Sequence, residues 1–280
     1  MSRNRAITNN TLFNEIIRID FYKIKDIDNM AEKINELLSK EKYTFKTTDI
    51  RNVNINIDDP ETLFTQELIK SNITSNINTT KNYEYISENE NHKFILNEYF
   101  IIFEKNNFSS YGKMETYLET LKKIVDIIIS EPEMKISRVG IRKMNQLFLG
   151  KIETIEKYFN IIIPKKDYKN IDEYAITQKN LDNEGSYSSN IMMNLKRGKG
   201  NINFNQTQIE MFRFIWDIDC YKRNVESQKI IEEITNLNNH LFERYNDVLT
   251  DELYRILENK EINMDELIKL DIYGGINKNG

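Results

Sequence analysis

The segment Arg138-Val139-Gly140-Ile141-Arg142-Lys143-Met144-Asn145 holds the residues best suited to chemistry in this chain. Read as a β-strand, it puts Arg138, Gly140 and Arg142 on one face, because strand side chains alternate with period two. The glycine removes the side chain that would separate two guanidinium groups and leaves room for an anion or a pair of carboxylates. The arginines stand roughly 13 Å apart along the strand at about 3.3 Å per residue, so their side chains must converge to share one anion. Asn145 ends the segment and completes a candidate ligand set with Asp217 and Asp219, which sit on the polar face of a later strand. Glu98 is a third nominee as a carboxylate partner. A buried guanidinium needs such partners, and Arg–carboxylate pairs fix geometry well, so a structural ion pair is the favoured reading. The functional reading is a phosphate or carboxylate site in which the aspartates orient the arginines.

Other constellations are less specific. Asp217 and Asp219, with Glu210 or His240, have the ligand types of a Mg²⁺ or Mn²⁺ phosphoesterase. Two carboxylates at i, i+2 are equally ordinary on a solvated face, and no metal or cofactor is expected. Lys196, Arg197 and Lys199 read as a basic hairpin tip that could touch a nucleic-acid backbone, or as a solvated turn. His240 falls on a helix as a packing residue, and His92 in a polar loop. No P-loop, dinucleotide glycine pattern, HExxH or Ser/His/Asp setting occurs, so no catalytic residue is assigned.

Composition narrows the field. The 280 residues carry a net charge of −5, which argues against non-specific duplex binding. Hydrophobic residues at 39% and aromatics at 11% suffice for a sizeable core. The wealth of Asn, Ile and Lys reads as coding bias. Cys220 is the single cysteine, which excludes a disulfide framework and fits a reducing, cytoplasmic setting. The amino terminus lacks the apolar stretch of a signal peptide, and no apolar run approaches membrane-spanning length, so a soluble protein with no membrane role is expected.

The elements that must position these residues follow from periodicity. A strand at 15–22 leads to a helix capped by Asp26 or Asp28, with Met30, Ile34, Leu37 and Leu38 along its apolar stripe. Residues 43–57 alternate as a strand. Residues 71–92 are either a ragged hairpin or a mobile loop, and 94–103 reads as one central strand covered on both faces. A helix over 111–130 precedes the arginine strand, 135–149. The expected class is α+β, with a ferredoxin-like β-α-β-β-α-β half at 9–150. A second unit at 151–272 contains a short helix at 152–159, antiparallel strands and then helices. One strand there holds Phe212, Phe214, Trp216, Ile218 and Cys220 on one face, with Arg213, Asp217 and Asp219 on the other. Thr250 and the Asn263–Glu266 pair cap later helices, and a glycine-containing tail at 273–280 should be disordered.

Three features together resemble a sporadically distributed, functionally uncharacterised prokaryotic protein family of about this length. They are the R-[VI]-G-[LI]-R-x-x-N strand (Arg138 to Asn145), the late Asp217-Ile218-Asp219 strand, and a helix bearing His240, Tyr245 and then Thr250. Lys143 and Gln146 depart from it, standing where the family commonly has an aromatic and a basic residue. The resemblance implies a shared fold and no particular reaction. Its sporadic distribution implies an accessory of a mobile or antiviral-defence locus. Three function classes follow: a non-enzymatic binding or regulatory protein with a protein partner, a nucleotide- or nucleic-acid-binding sensor using Arg138 and Arg142, and a metal-dependent phosphoesterase or nuclease using Asp217 and Asp219.

Overall fold

Ile17, Ile19 and Phe21 alternate with Ile16, Arg18 and Asp20, so one side of their strand is buried and the other is not. In the computed structural model, which describes residues 9–56, 74–88, 91–106, 114–163, 171–181, 187–202 and 207–278, this segment is β2 (Leu12–Phe21), preceded by a short β1 (Asn9–Asn10). Helix α1 (Ile27–Ser39) starts at Asp26, whose carboxylate accepts from the Asn29 backbone N–H, and buries Met30, Ala31, Ile34 and Leu38. Four strands come next: β3 (Tyr43–Asn56), β4 (Thr74–Ser87), β5 (His92–Leu96) and β6 (Phe100–Asn106). Helix α2 (Met114–Ile129) leads to β7 (Ile136–Leu149), the arginine strand, and then to α3 (Glu153–Tyr158). The remaining strands of the sheet are β8 (Glu173–Leu181), β9 (Ser188–Ile202) and β10 (Thr207–Arg223). Helices α4 (Ile230–Val248), α5 (Asp251–Glu258) and α6 (Met264–Lys269) precede β11 (Ile272–Gly274) and β12 (Asn277–Lys278).

The class is α+β, built on one antiparallel sheet of order β3-β4-β5-β6-β2-β7-β10-β9-β8, with β11 added at the end of β7. Four strands, not the expected two, lie between α1 and α2. Residues 74–87 form a full partner of β3 rather than a loop. The run 94–103 is a tight hairpin, because Asn97 turns the chain: its side chain accepts from the Tyr99 N–H, and its own N–H bonds to the Phe100 carbonyl. Strands from both sides of residues 150 and 151 join in one sheet, since β7 pairs with β10 from Leu149–Phe212 to Arg138–Arg223.

The basic stretch 196–200 is not a hairpin tip. It lies inside β9, paired to Met211 and its neighbours, and the connection to β10 falls at 203–206, outside the described residues. The tail is ordered where it is described. Ile272 and Gly274 pair with β7, and Asn277 and Lys278 pair with β1. Gly275 makes this possible: its φ is +86°, and a Cβ there would lie 2.4 Å from the Gln146 carbonyl oxygen.

One hydrophobic core draws on both halves and lies on a single face of the sheet. Trp216 is completely buried there among Phe159, Phe214 and Tyr245. Helix α4 packs on β7 and β10, and Tyr117 of α2 stacks on Phe103. The opposite face carries Arg18, Arg138, Arg142, Asp217 and Asp219.

Candidate functional site

On that face, which no described helix covers, β7 and β10 set their charges side by side. Asp219 lies directly across from Arg142, and Asp217 sits one step along the same side of β10. Long side chains reach diagonal neighbours, and the Arg142 guanidinium turns to Asp217. Its Nε donates to Oδ1 at 2.9 Å and Oδ2 at 3.0 Å, and Nη2 donates to Oδ2 at 2.5 Å. Those bonds raise the affinity of Arg142 for its proton above the ordinary value. Arg138 is held more loosely. Its Nη2 is 3.5 Å from Asp219 Oδ2, its guanidinium lies 4.5 Å over the Tyr221 ring, and its Nε has no hydrogen-bond partner among the described residues.

Gly140 lies beside one of the two arginines, Arg138. A Cβ there would sit 3.3 Å from Tyr221 Cβ and 3.5 Å from Arg138 Nη2, so any larger residue would crowd the arginine against its ring. Burial pushes the Asp219 carboxyl above its ordinary value, against the opposing pull of Arg138 and Arg142.

Neighbouring strands enlarge the site. Arg18 of β2 pairs with Asp20 at 2.6 Å and lies 4.4 Å over Phe100. From the other side β9 and β8 contribute Asn190, Met192, Thr177 and Lys179. Together these residues enclose an open pocket of about 520 Å³. Its lining has four cations, Arg18, Arg138, Arg142 and Lys179, against two carboxylates, Asp217 and Asp219. Asp20, just outside, balances Arg18. Lys179 is exposed and has no ion pair or hydrogen bond among the described residues.

The structure thus gathers Arg138, Arg142, Asp217 and Asp219, and leaves the other nominees elsewhere. Asn145 is three residues from Arg142 and so faces the core, where Thr11 Oγ1 donates to its Oδ1 at 3.1 Å. Glu98 pairs with Lys23 at the β5–β6 turn. Glu210 pairs with Arg197, and His240 stacks on Tyr187. Lys196, Arg197 and Lys199 do not form one patch. Lys196 is on the uncovered face beside Arg213, whereas Arg197 lies over the Phe212 ring with Lys199 on its side of the strand. His92, read as a loop residue, is buried in β5 and bonded to Tyr43 Oη at 2.5 Å.

Sequence reasoning missed Arg18, Asn190 and Lys179. Each is a polar position in an alternating strand, but only the register brings it to the arginines.

Among the described residues, no three His, Cys, Asp or Glu side chains are grouped to hold a metal ion, and both Asp217 oxygens already accept from Arg142. A divalent cation would also have to displace two guanidinium groups. Cys220 points into the core, where burial pushes its thiol up to about 12, far from a nucleophile's range.

Fold and site together define an α+β protein with one sheet face sealed by helices and the other carrying an ion-paired pocket. No family model matches the chain, and neither a curated protein nor a solved structure matches it.

Proposed function

We propose that this is a non-enzymatic binding protein that holds a small organic anion in the pocket on the uncovered sheet face. One observation carries the reading: the pocket lining has more cations than carboxylates, and Lys179 is left without a counter-ion among the described residues. A pocket of about 520 Å³ falls within the usual range for small ligands, ~300–1,000 Å³. A nucleic-acid strand is the weaker reading, because strand-binding faces offer bare aromatic rings for bases to stack on. Here Arg18 covers Phe100, Arg138 covers Tyr221, and Arg213 lies 5.7 Å over Phe13.

The wider assignment rests on the family resemblance. We read the protein as a cytoplasmic accessory of a mobile or antiviral-defence locus that reports its ligand to a protein partner. The single buried cysteine suits a reducing compartment, and no helix among the described residues is long and apolar enough to cross a membrane. We also read residues 9–150 as a ferredoxin-like unit lengthened by a hairpin, because β2 lies between β6 and β7 and helices precede both β3 and β7.

The test is thermal melting against inorganic phosphate, nucleotides and dicarboxylates, paired with a turnover screen containing Mg²⁺ or Mn²⁺. A bound anion at 100 times its dissociation constant should add about 2.7 kcal/mol of stability, with no turnover. A melting point indifferent to every anion would sink the proposal. So would turnover that disappears in Asp217→Asn, which would favour the phosphoesterase reading.

A further inference from the structure

The pocket floor is a row of residues directly opposite one another on successive strands: Lys179 on β8, Asn190 on β9, Asp219 on β10, Arg142 on β7 and Ile16 on β2. Neighbouring strands are about 4.8 Å apart, so Lys179 and Arg142 stand roughly 14 Å from each other at their Cα atoms. Arg138 is four residues further along β7. The unneutralised cation and the loosely held arginine therefore occupy opposite corners of one pocket.

Between the corners the floor has a different chemistry. Asp219 offers acceptor oxygens, and Asn190 offers a carboxamide that makes no hydrogen bond among the described residues. Met192, 40% exposed, together with Ile16 and Ile102, supplies apolar surface. A bare anion lying across this floor would be repelled by Asp219. The occupant must bring N–H donors to Asp219 in its middle and negative charge to its ends. An amino-bearing base meets the first need, since its edge presents the donors and acceptors that carboxylate and carboxamide side chains read. Phosphates meet the second, because arginine and lysine both hold them well.

We propose that the pocket takes a dinucleotide-class ligand, with phosphates at the Lys179 and Arg138 corners and an amino-bearing base on Asp219 and Asn190. This rests on the pocket being a ligand site, as argued above. Arg138 gives up its 3.5 Å contact with Asp219 when the phosphate arrives, and Asp219 is then free to face the base. Lys179 and Asn190 set the specificity, and the tight Arg142–Asp217 pair holds the floor in shape.

Calorimetric titration of the full chain tests this with 5′-phosphorylated di-adenylate and di-cytidylate, the di-uridylate counterpart, inorganic phosphate and citrate. The adenylate or cytidylate probe should bind, and di-uridylate, which lacks the amino group, should bind about tenfold more weakly. Lys179→Met and Asn190→Ala should each weaken the better probe by about tenfold while leaving Tm unchanged. Citrate or phosphate binding as tightly as any dinucleotide would overturn the ligand class and leave the anion pocket standing. Dinucleotide binding indifferent to both variants would overturn the placement. If no probe binds at all, this inference and the proposed function fall together.

Discussion

Both faces of the sheet carry rows of charge, and they treat it in opposite ways. On the covered face, Glu15 of β2 is fully buried with Lys105 of β6 on one side and Lys143 of β7 on the other. Lys143 Nζ lies 3.2 Å from Glu15 Oε1 and donates to Asn238 of α4 at 2.7 Å. Tyr117 of α2 donates to Glu15 Oε2 at 2.8 Å, and Lys105 Nζ lies 5.7 Å over the same tyrosine ring. Helices therefore complete what the strands begin. On the uncovered face no described helix descends onto the charges. The Arg142 side chain keeps 43% of its exposure, Arg138 is loosely paired, and Lys179 has no partner among the described residues. A row of ion pairs is thus no sign of a binding site by itself. The informative feature is charge left unmatched where no described helix covers it.

The covered face should be far less forgiving. Trp216→Ala should cost about 3–5 kcal/mol, read from chemical denaturation, because no neighbour can fill the space of a fully buried indole. Normal unfolding of that variant would mean that the covered face is not the core that holds the fold. Lys143→Met, which leaves the Glu15 carboxylate buried beside Tyr117, should cost about 3 kcal/mol. Adding Glu15→Gln should restore part of that loss. Across the sheet, Arg142→Met strands Asp217, which is only 5% exposed, and should cost about 2 kcal/mol. A loss there as large as that of Lys143→Met would erase the contrast between the faces.

The next effect is a pH dependence. Burial raises the Asp219 carboxyl above its unfolded value, so the folded state binds this proton more readily than the unfolded chain does. The stabilisation from that proton is complete below the unfolded aspartate value, near ~3.9, and is lost as pH rises through the higher folded value. Asp219→Asn keeps the neutral form at every pH. It should therefore gain on the wild type as pH rises through the carboxylate range, with Arg138, Arg142 and Asp217 facing the group throughout. Unfolding free energies of the two proteins, measured at several pH values, check the sign. The smallest effect is that of Lys179→Met: an unchanged melting curve in the absence of ligand.

Much of this was legible in the residues. Period two alone placed Arg138 with Arg142 and Asp217 with Asp219, and the cost of a buried guanidinium joined the two pairs. The same rule, followed three residues beyond Arg142, sends Asn145 to the core. Caps with a local mechanism were readable too, at Thr250 and the Asn263–Glu266 box, and at α1 down to two candidates, Asp26 and Asp28, of which Asp26 is the cap. Register was not, since nothing local in β8 says that Lys179 will lie three strands from Arg142. Asn97 stood inside an apolar run that masked a turn. Gly275 reads as flexibility in a sequence, whereas here it lets the chain pass close over the Gln146 carbonyl.

The central position of β7 has a consequence for synthesis. Its partners are β2, made much earlier, and β10 and β11, made much later, so the sheet closes through contacts of long sequence separation and should form slowly. Until β10 leaves the ribosome, β7 is an exposed edge fourteen residues long, open to pairing with any neighbouring nascent chain. Arg138, Arg142 and Lys143 put positive charge on both sides of that edge, as gatekeepers do on strands that must wait for a partner. Arg138 and Arg142, which later frame the pocket, should thereby first help to keep unfinished copies of the protein apart.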